Sequence, residues 1–221
     1  MRRAESIERG AGIRSPSLLS ALGRGWPEAV IECSRTKGIP MILETERLIL
    51  RPWEETDAEQ CYRYAKDPLV GPAAGWPAHT SIEDSRLVIR DVLSAQETYA
   101  IVLKETMLLV GSIGLHHNDL AEKDDEAELG YWIGVPYWGR GLVPEASREL
   151  LRHAFEDLGL ERVWCGYYDG NEKSRRVQEK LGFRYQWTTD EVPVPQLGET
   201  RKGHVNLMTK EEWMAGAGCM L

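Results

Sequence analysis

Tyr137-Trp138-Gly139-Arg140-Gly141-Leu142-Val143-Pro144-Glu145-Ala146 joins a strand-like run to a helix-like one, and its reading decides the fold. Upstream, Ala127-Glu128-Leu129-Gly130-Tyr131-Trp132-Ile133-Gly134-Val135 has the apolar and aromatic character of a strand. Downstream, Val143, Ala146, Leu150, Ala154 and Leu158 recur at helical spacing, and Leu151 and Phe155 widen the stripe. Pro144 suits a first helical turn, and Gly159 suits a C-terminal cap. Gly139 and Gly141 therefore lie between a strand and a helix N-terminus. Residues without side chains let backbone N–H groups approach a ligand closely. The first N–H groups of a helix lack an internal partner, and the helix dipole adds positive potential. Together they make an anion site sized for phosphates, to which Arg140 could add a charge. Taken alone, a Gly-Arg-Gly turn reads as readily as a plain strand–helix connection.

The surrounding chain alternates in the same manner. Arg47-Leu48-Ile49-Leu50-Arg51 reads as a strand. Thr56 or Asp57 can cap a helix that stops near Asp67-Pro68. Residues 71–77 form a loop by their Gly and Pro breakers. Ser81 with Asp84 resembles a capping box for a helix reaching about Leu93. Thr98 to Leu103 and Leu108 to Leu115 read as two strands with a hairpin turn at Glu105-Thr106. Arg162 to Tyr168 is a further strand, and Asn171 caps a short helix ending at Leu181-Gly182. Phe183 to Thr188 and His204 to Thr209 close the sheet. The order predicts an α+β fold with a mixed, largely antiparallel central sheet flanked by helices.

Bulk properties set bounds on function. The 221 residues suit one domain, or one domain with an extension. No apolar run approaches the roughly 18 residues needed to cross a bilayer. The stretch Leu18-Leu19-Ser20-Ala21-Leu22 is too short for a signal-peptide core. Cys33, Cys61, Cys165 and Cys219 show no zinc or thioredoxin spacing, which fits a reduced, cytoplasmic compartment. His116 and His117 are strand neighbours that point oppositely, so they do not jointly chelate an ion, and no metal is expected. The net charge of −8 opposes general nucleic-acid binding and leans toward cationic partners such as amines or basic peptides. The first 40 residues hold seven Lys/Arg and four Asp/Glu. Removing them from the 27 basic and 35 acidic residues leaves 20 and 31, so this extension is +3 and residues 41–221 are −11. The extension lacks periodicity and is expected to be disordered. The abrupt change at Met41 suggests a translation start there.

Four segments in order resemble the GNAT acyltransferase superfamily, and most closely its RimJ/RimL-like branch. Leu43 to Pro52 is similar to the opening strand of that branch, and Glu126 to Ile133 to its central strand. Tyr137-Trp138-Gly139-Arg140-Gly141 is similar to its pyrophosphate loop. Asn171-Glu172-Lys173-Ser174, followed by Glu179-Lys180-Leu181-Gly182-Phe183, is similar to its second cofactor segment. The resemblance spans roughly residues 42–213 and implies acetyl-CoA as cosubstrate and an amine as acceptor. The expected acceptor is a protein N-terminus or a small amine; a homodimer is compatible with the resemblance. The other reading is an acyl-CoA-binding module without catalysis.

The resemblance assigns cofactor contacts to Trp138, Gly139, Arg140, Gly141, Leu142 and Val143. Backbone N–H groups near Trp132, Ile133 or Val135 would bind pantetheine and polarise the thioester oxygen. Asn171 caps its helix and is a further candidate for the pantetheine arm. Glu128 is the expected general base, with Glu126 on the same strand face as the alternative. Ser174 is the candidate for protonating the leaving thiolate, the other reading being a structural hydrogen bond. This chain departs from the superfamily loop at Trp138, where Trp is familiar in the branch, and at Val143; backbone binding tolerates both changes. Many members place a catalytic tyrosine where this chain has Gln178, so the acid must come from elsewhere. Of Tyr167 and Tyr168, at most one is expected to face the site. Acceptor choice is expected in loops at residues 68–80, where Trp76 shapes the pocket or plugs the core, and 190–203.

Overall fold

A computed structural model describes residues 41–216, so the expectations for residues 1–40, including disorder, lie outside the described residues. Eight strands form one sheet. They are β1 (Leu43–Glu44), β2 (Leu48–Pro52), β3 (Thr98–Leu103), β4 (Leu108–His116), β5 (Glu126–Ile133), β6 (Arg162–Tyr168), β7 (Arg184–Val194) and β8 (Glu199–Thr209). Their order is β1-β2-β3-β4-β5-β6-β8-β7, antiparallel throughout except for the parallel pair β5 and β6. A parallel pair needs a crossover, supplied by helix α3 (Leu142–Arg152) and its π-helical extension His153–Asp157.

Strand β3 is buried on both faces of the sheet, which explains its unbroken apolar run. Tyr99, Ile101 and Leu103 pack into one core with α3 residues Leu142, Val143, Ala146, Leu150 and Leu151. Ala100 and Val102 pack into another with Ala58, Cys61 and Ala65. The second core is covered by α1 (Ala58–Ala65) and α2 (Ile82–Val88), the latter prolonged by a π-helical turn Ile89–Leu93. Helix α4 (Glu172–Leu181) packs with α3, and a short α5 (Lys210–Met214) follows β8. Leu150 and Leu151 are fully buried. Each stabilises the fold by roughly 1.5–3 kcal/mol relative to exposure.

Local signals act as their chemistry dictates. Ser81 Oγ accepts from the Asp84 amide at 3.0 Å, as the capping pattern predicts. The reciprocal half is not made, because the Asp84 carboxylate accepts from Thr80 instead. Asn171 caps α4 and Gly182 ends it in the left-handed conformation.

The expectation at the C-terminal end needs correction. Residues 190–203 are not an irregular loop: β7 and β8 are 11-residue strands forming one long hairpin. Pro193, Pro195 and the charged residues hid the alternation of Val192 and Val194, whose side chains are buried against Leu120, Tyr168 and Val205.

Candidate active site

The site begins where the parallel pair comes apart. Strands β5 and β6 pair only at Glu126 with Arg162, Ala127 with Val163 and Glu128 with Trp164. Beyond Leu129 they diverge, and β5 keeps only β4 as a partner. The Gly134 amide donates to the Val110 carbonyl at 2.8 Å. By antiparallel alternation the amides of Trp132, Gly130 and Glu128 also turn toward β4, while those of Tyr131 and Ile133 face the gap. The expectation for Trp132 is thereby corrected. Its amide faces β4, and its ring meets Trp53 and Trp76 at centroid distances of 6.4 and 5.8 Å. Val135 opens a tight turn, where its carbonyl accepts from the Trp138 amide at 3.1 Å. A groove of ≈ 2340 Å³ runs through the gap and reaches both faces of the sheet.

At one end of the groove lies the glycine turn. Gly139 and Gly141 have φ of +73° and +75°, a left-handed backbone that glycine adopts without a Cβ clash. The amides from Gly139 to Val143 donate to no carbonyl among the described residues. Gly139, Gly141, Leu142 and Val143 line the groove. Trp138 pins the turn: its Nε1 donates to the Ile133 carbonyl at 2.9 Å, and Lys173 Nζ lies 4.2 Å from its ring centroid. From behind, the Glu145 carboxylate accepts from the Arg47 amide at 2.8 Å and the Thr45 hydroxyl at 2.6 Å. Burial pushes the Glu145 carboxyl up, but these bonds and the Arg47 guanidinium outweigh it and hold it below its ordinary value. Arg47 Nη1 also donates to the Arg140 carbonyl at 3.1 Å. The Arg140 side chain instead lies over the Tyr137 ring, 5.5 Å from its centroid, away from the groove lining. Lys173, Arg176 and Lys180 of α4 also line the groove, with Lys173 over the Trp138 ring, and the sequence reading missed them.

Glu128 stands at the point of divergence. It is 8 % exposed and lines the groove. Burial pushes its carboxyl up to about 7, against the opposing pull of Asn118 Nδ2 and the Gly166 amide. Asn118 is itself fixed, since its Oδ1 accepts from the Leu120 amide at 2.9 Å. Opposite Glu128 on β4, His116 lays its ring over Gly114 and Gly130. Burial pushes the His116 imidazole down to about 4, so it stays neutral near pH 7. His117 is exposed. Glu126 is committed elsewhere. It accepts from Arg162 Nη1 at 2.9 Å and Trp164 Nε1 at 2.8 Å. Burial pushes its carboxyl up, but these bonds bring it below its ordinary value.

On the α4 side, Ser174 Oγ lies 2.9 Å from the Tyr131 hydroxyl and accepts from Gln178 Nε2 at 3.2 Å. Gln178 is 1 % exposed, donates to the Gly166 carbonyl at 3.0 Å and accepts from Asn206 at 2.6 Å. Asn171 Oδ1 accepts from the Ser174 amide at 3.2 Å while its Nδ2 donates to Ala73, tying the 71–77 loop to α4. Both tyrosines reach the groove, against the expectation of at most one: Tyr168 shares a face with Glu128, and Tyr167 stacks on His204 on the other. The buried hydroxyls of Tyr168 and Thr98, both groove residues, have no hydrogen-bond partner among the described residues. Trp76 packs on Trp132 and His79 and lines the groove, so it serves as wall and plug at once.

A splayed strand pair beside a glycine turn matches known proteins. The family model described as "Acetyltransferase (GNAT) domain" matches residues 47–184. The chain belongs to the GNAT acetyltransferase family. An acetyltransferase of this family from Bacillus anthracis superposes with a TM-score of 0.70 and 25 % identity, covering 78 % of this chain and all (100 %) of that one. "Uncharacterized N-acetyltransferase YoaA" of Bacillus subtilis is 32 % identical over 148 residues, 65 % of this chain and 82 % of that protein. "Putative ribosomal N-acetyltransferase YdaF" of the same bacterium is 45 % identical over 75 residues, 34 % of this chain and 40 % of that protein. The GNAT family uses acetyl-CoA and an amine acceptor. The amides of the glycine turn, unpaired among the described residues, with Lys173 near them, fit the pyrophosphate of that cosubstrate. The amides of Tyr131 and Ile133 fit its amide-bearing arm as an added strand. No group of three metal-ligating side chains occurs among the described residues. None of their helices is long and apolar enough to cross a membrane.

Proposed function

We propose that this N-acetyltransferase moves the acetyl group of acetyl-CoA to the α-amine of a protein N-terminus. The observation that carries the reading is Glu128, a groove carboxylate pushed up to about 7 at the mouth of the β5–β6 gap. An α-amine has a pKa near 8, so roughly a tenth is neutral at pH 7. A base with pKa near 7 is matched to taking its proton as the C–N bond forms. The Tyr131 and Ile133 amides hold the pantetheine arm and the thioester oxygen, whose negative charge grows on attack. Ser174 Oγ–H donates to the sulfur as the C–S bond breaks. The amine proton leaves through Glu128, and solvent returns a proton to the thiolate, so charge balances. The N-terminus as acceptor is favoured by the name of YdaF and by the acidic body of the chain.

The test is thiol release from acetyl-CoA with a panel of acceptors. The panel holds basic peptides with a free N-terminus, the same peptides N-blocked, spermidine and free amino acids. Release with free but not blocked peptides is expected. Turnover only with small amines would move the acceptor to that class. Tight CoA binding without turnover on any acceptor would mark a binding module.

A further inference from the structure

The resemblance places a catalytic tyrosine where this chain has Gln178, and Gln178 is among the most tightly held side chains of the site. Its Nε2 must face the Gly166 carbonyl, 3.0 Å away, because a carbonyl only accepts. Its Oε1 accepts from Asn206 at 2.6 Å, so the amide cannot flip. The same Nε2 then donates its second hydrogen to Ser174 Oγ at 3.2 Å. Tyr131 stands on the other side of Ser174. Its hydroxyl lies 2.9 Å from Ser174 Oγ and 3.4 Å from the Ser174 carbonyl. Either hydroxyl can donate in the shorter contact; the phenol, the stronger acid of the two, is assigned as its donor.

A serine hydroxyl has two acceptor lone pairs and one proton. With both lone pairs filled by Gln178 and Tyr131, the proton has no acceptor among these partners. Ser174 lines the groove, so the proton is left for a group bound there. We propose that Gln178 and Tyr131 are positioning residues that aim the Ser174 hydroxyl proton at the sulfur of the bound coenzyme. The proposal rests on the reading of Ser174 as the group facing that sulfur. Gln178 is then not a lost acid. It fixes the direction of a donor that stabilises the departing thiolate, while no proton needs to leave Ser174 in full.

The experiment uses CoA itself and needs no acceptor. A hydroxyl aimed at sulfur favours the thiolate, so the thiol of enzyme-bound CoA titrates below that of free CoA. The thiolate is followed by its ultraviolet absorbance against pH, with CoA affinity and melting temperature measured in parallel. In the native protein we expect a downward shift. Ser174→Ala returns the titration to the free value. Gln178→Met, which adds no charge, and Gln178→Glu, whose carboxylate captures the serine proton, both remove most of the shift. CoA affinity stays within about twofold, and Tyr131→Phe has a smaller effect in the same direction. A shift that survives Gln178→Met while Ser174→Ala abolishes it overturns the positioning role and leaves Ser174 in place. Loss of the shift with Gln178→Glu but not with Gln178→Met means that added charge is the cause, and again overturns it. A native shift that Ser174→Ala leaves unchanged, or no native shift at all, removes the underlying reading of Ser174. If Gln178→Met fails to fold, Tyr131→Phe decides: an unchanged shift overturns the proposal.

Discussion

Glu126 and Glu128 lie two residues apart on one face of one strand, and the sheet treats them oppositely. At Glu126 the parallel pair is closed, and Arg162 and Trp164 reach across from β6 to satisfy the carboxylate. At Glu128 the strands begin to part. Its partner opposite is Trp164, whose indole is already turned to Glu126, and no cation reaches it among the interactions that set its charge. One carboxylate is thus held below its ordinary value and the other pushed up to about 7. Divergence of two strands both opens a groove and removes the partners of one acid. Neighbouring groups whose environments push their pKa values apart mark acid–base roles.

Exchanging each acid for its amide tests this contrast most severely. Glu128→Gln should lower kcat by roughly 100-fold or more, the usual contribution of a positioned base. The limb of the pH–rate profile that rises through about 7 should vanish. CoA affinity should hold, because the glycine turn and the Tyr131 and Ile133 amides are untouched. Glu126→Gln should leave kcat within a few-fold and act on stability through its lost ion pair. Equal kcat losses in the two variants would mean that the strand, not the base, is being probed.

Much of this was legible in the sequence because it rests on local rules. The strand at Glu126–Ile133, the glycine turn and the Asn171 cap depend on neighbours in the chain, and periodicity and capping chemistry report neighbours. Glu128 stood out by its place on the strand before the turn. Its raised pKa was not legible, since that depends on Asn118, Gly166 and burial by distant elements. The Tyr131–Ser174–Gln178 cluster joins β5 to α4, 43 residues apart, and no spacing encodes it. The Trp132 amide was misassigned for a subtler reason. Hydrogen-bond direction alternates along a strand, and the phase is set by β4, which the β5 sequence does not contain.

The same contrast predicts how stability responds to pH. An ionised Glu128 is costly inside the fold, so its folded value lies above its ordinary 4.5. Its contribution to stability is fully present below about 4.5, falls between 4.5 and about 7, and is lost above that. The loss is on the order of 3 kcal/mol, each pKa unit being worth about 1.4 kcal/mol. Chemical denaturation at pH 5 and pH 8 should show it, and the Glu128→Gln variant should lack that component. Glu126 works with the opposite sign, since its folded value is depressed: its contribution is lost only as pH falls through the acid range. A native protein whose stability is flat from pH 5 to pH 8, once compared with Glu128→Gln, would contradict the buried, uncompensated carboxylate.

The smallest expected effect separates the two ends of α3, which runs from the open end of the strand pair back to the closed one. Gly141 precedes it at φ +75° and Gly159 follows its π-helical extension at φ +74°. A methyl group at Gly159 would meet nothing, and at Gly141 it would make ordinary contact with Arg47 Nη2 at 3.6 Å. Gly→Ala should therefore strain both sites alike, by about 1–2 kcal/mol, and lower both melting temperatures similarly. Of the two, only Gly141 lines the groove, among amides that are unpaired within the described residues. Relaxing its left-handed backbone would turn those amides, so Gly141→Ala should weaken CoA binding roughly 10-fold, equivalent to about 1.4 kcal/mol. Gly159→Ala should bind CoA as the native protein does. Titration calorimetry with CoA reads the difference directly, because the matched strain cancels between the two variants. If the two bind CoA alike, the glycine turn is only a connection between β5 and α3, and the phosphates are held by Lys173, Arg176 and Lys180 instead.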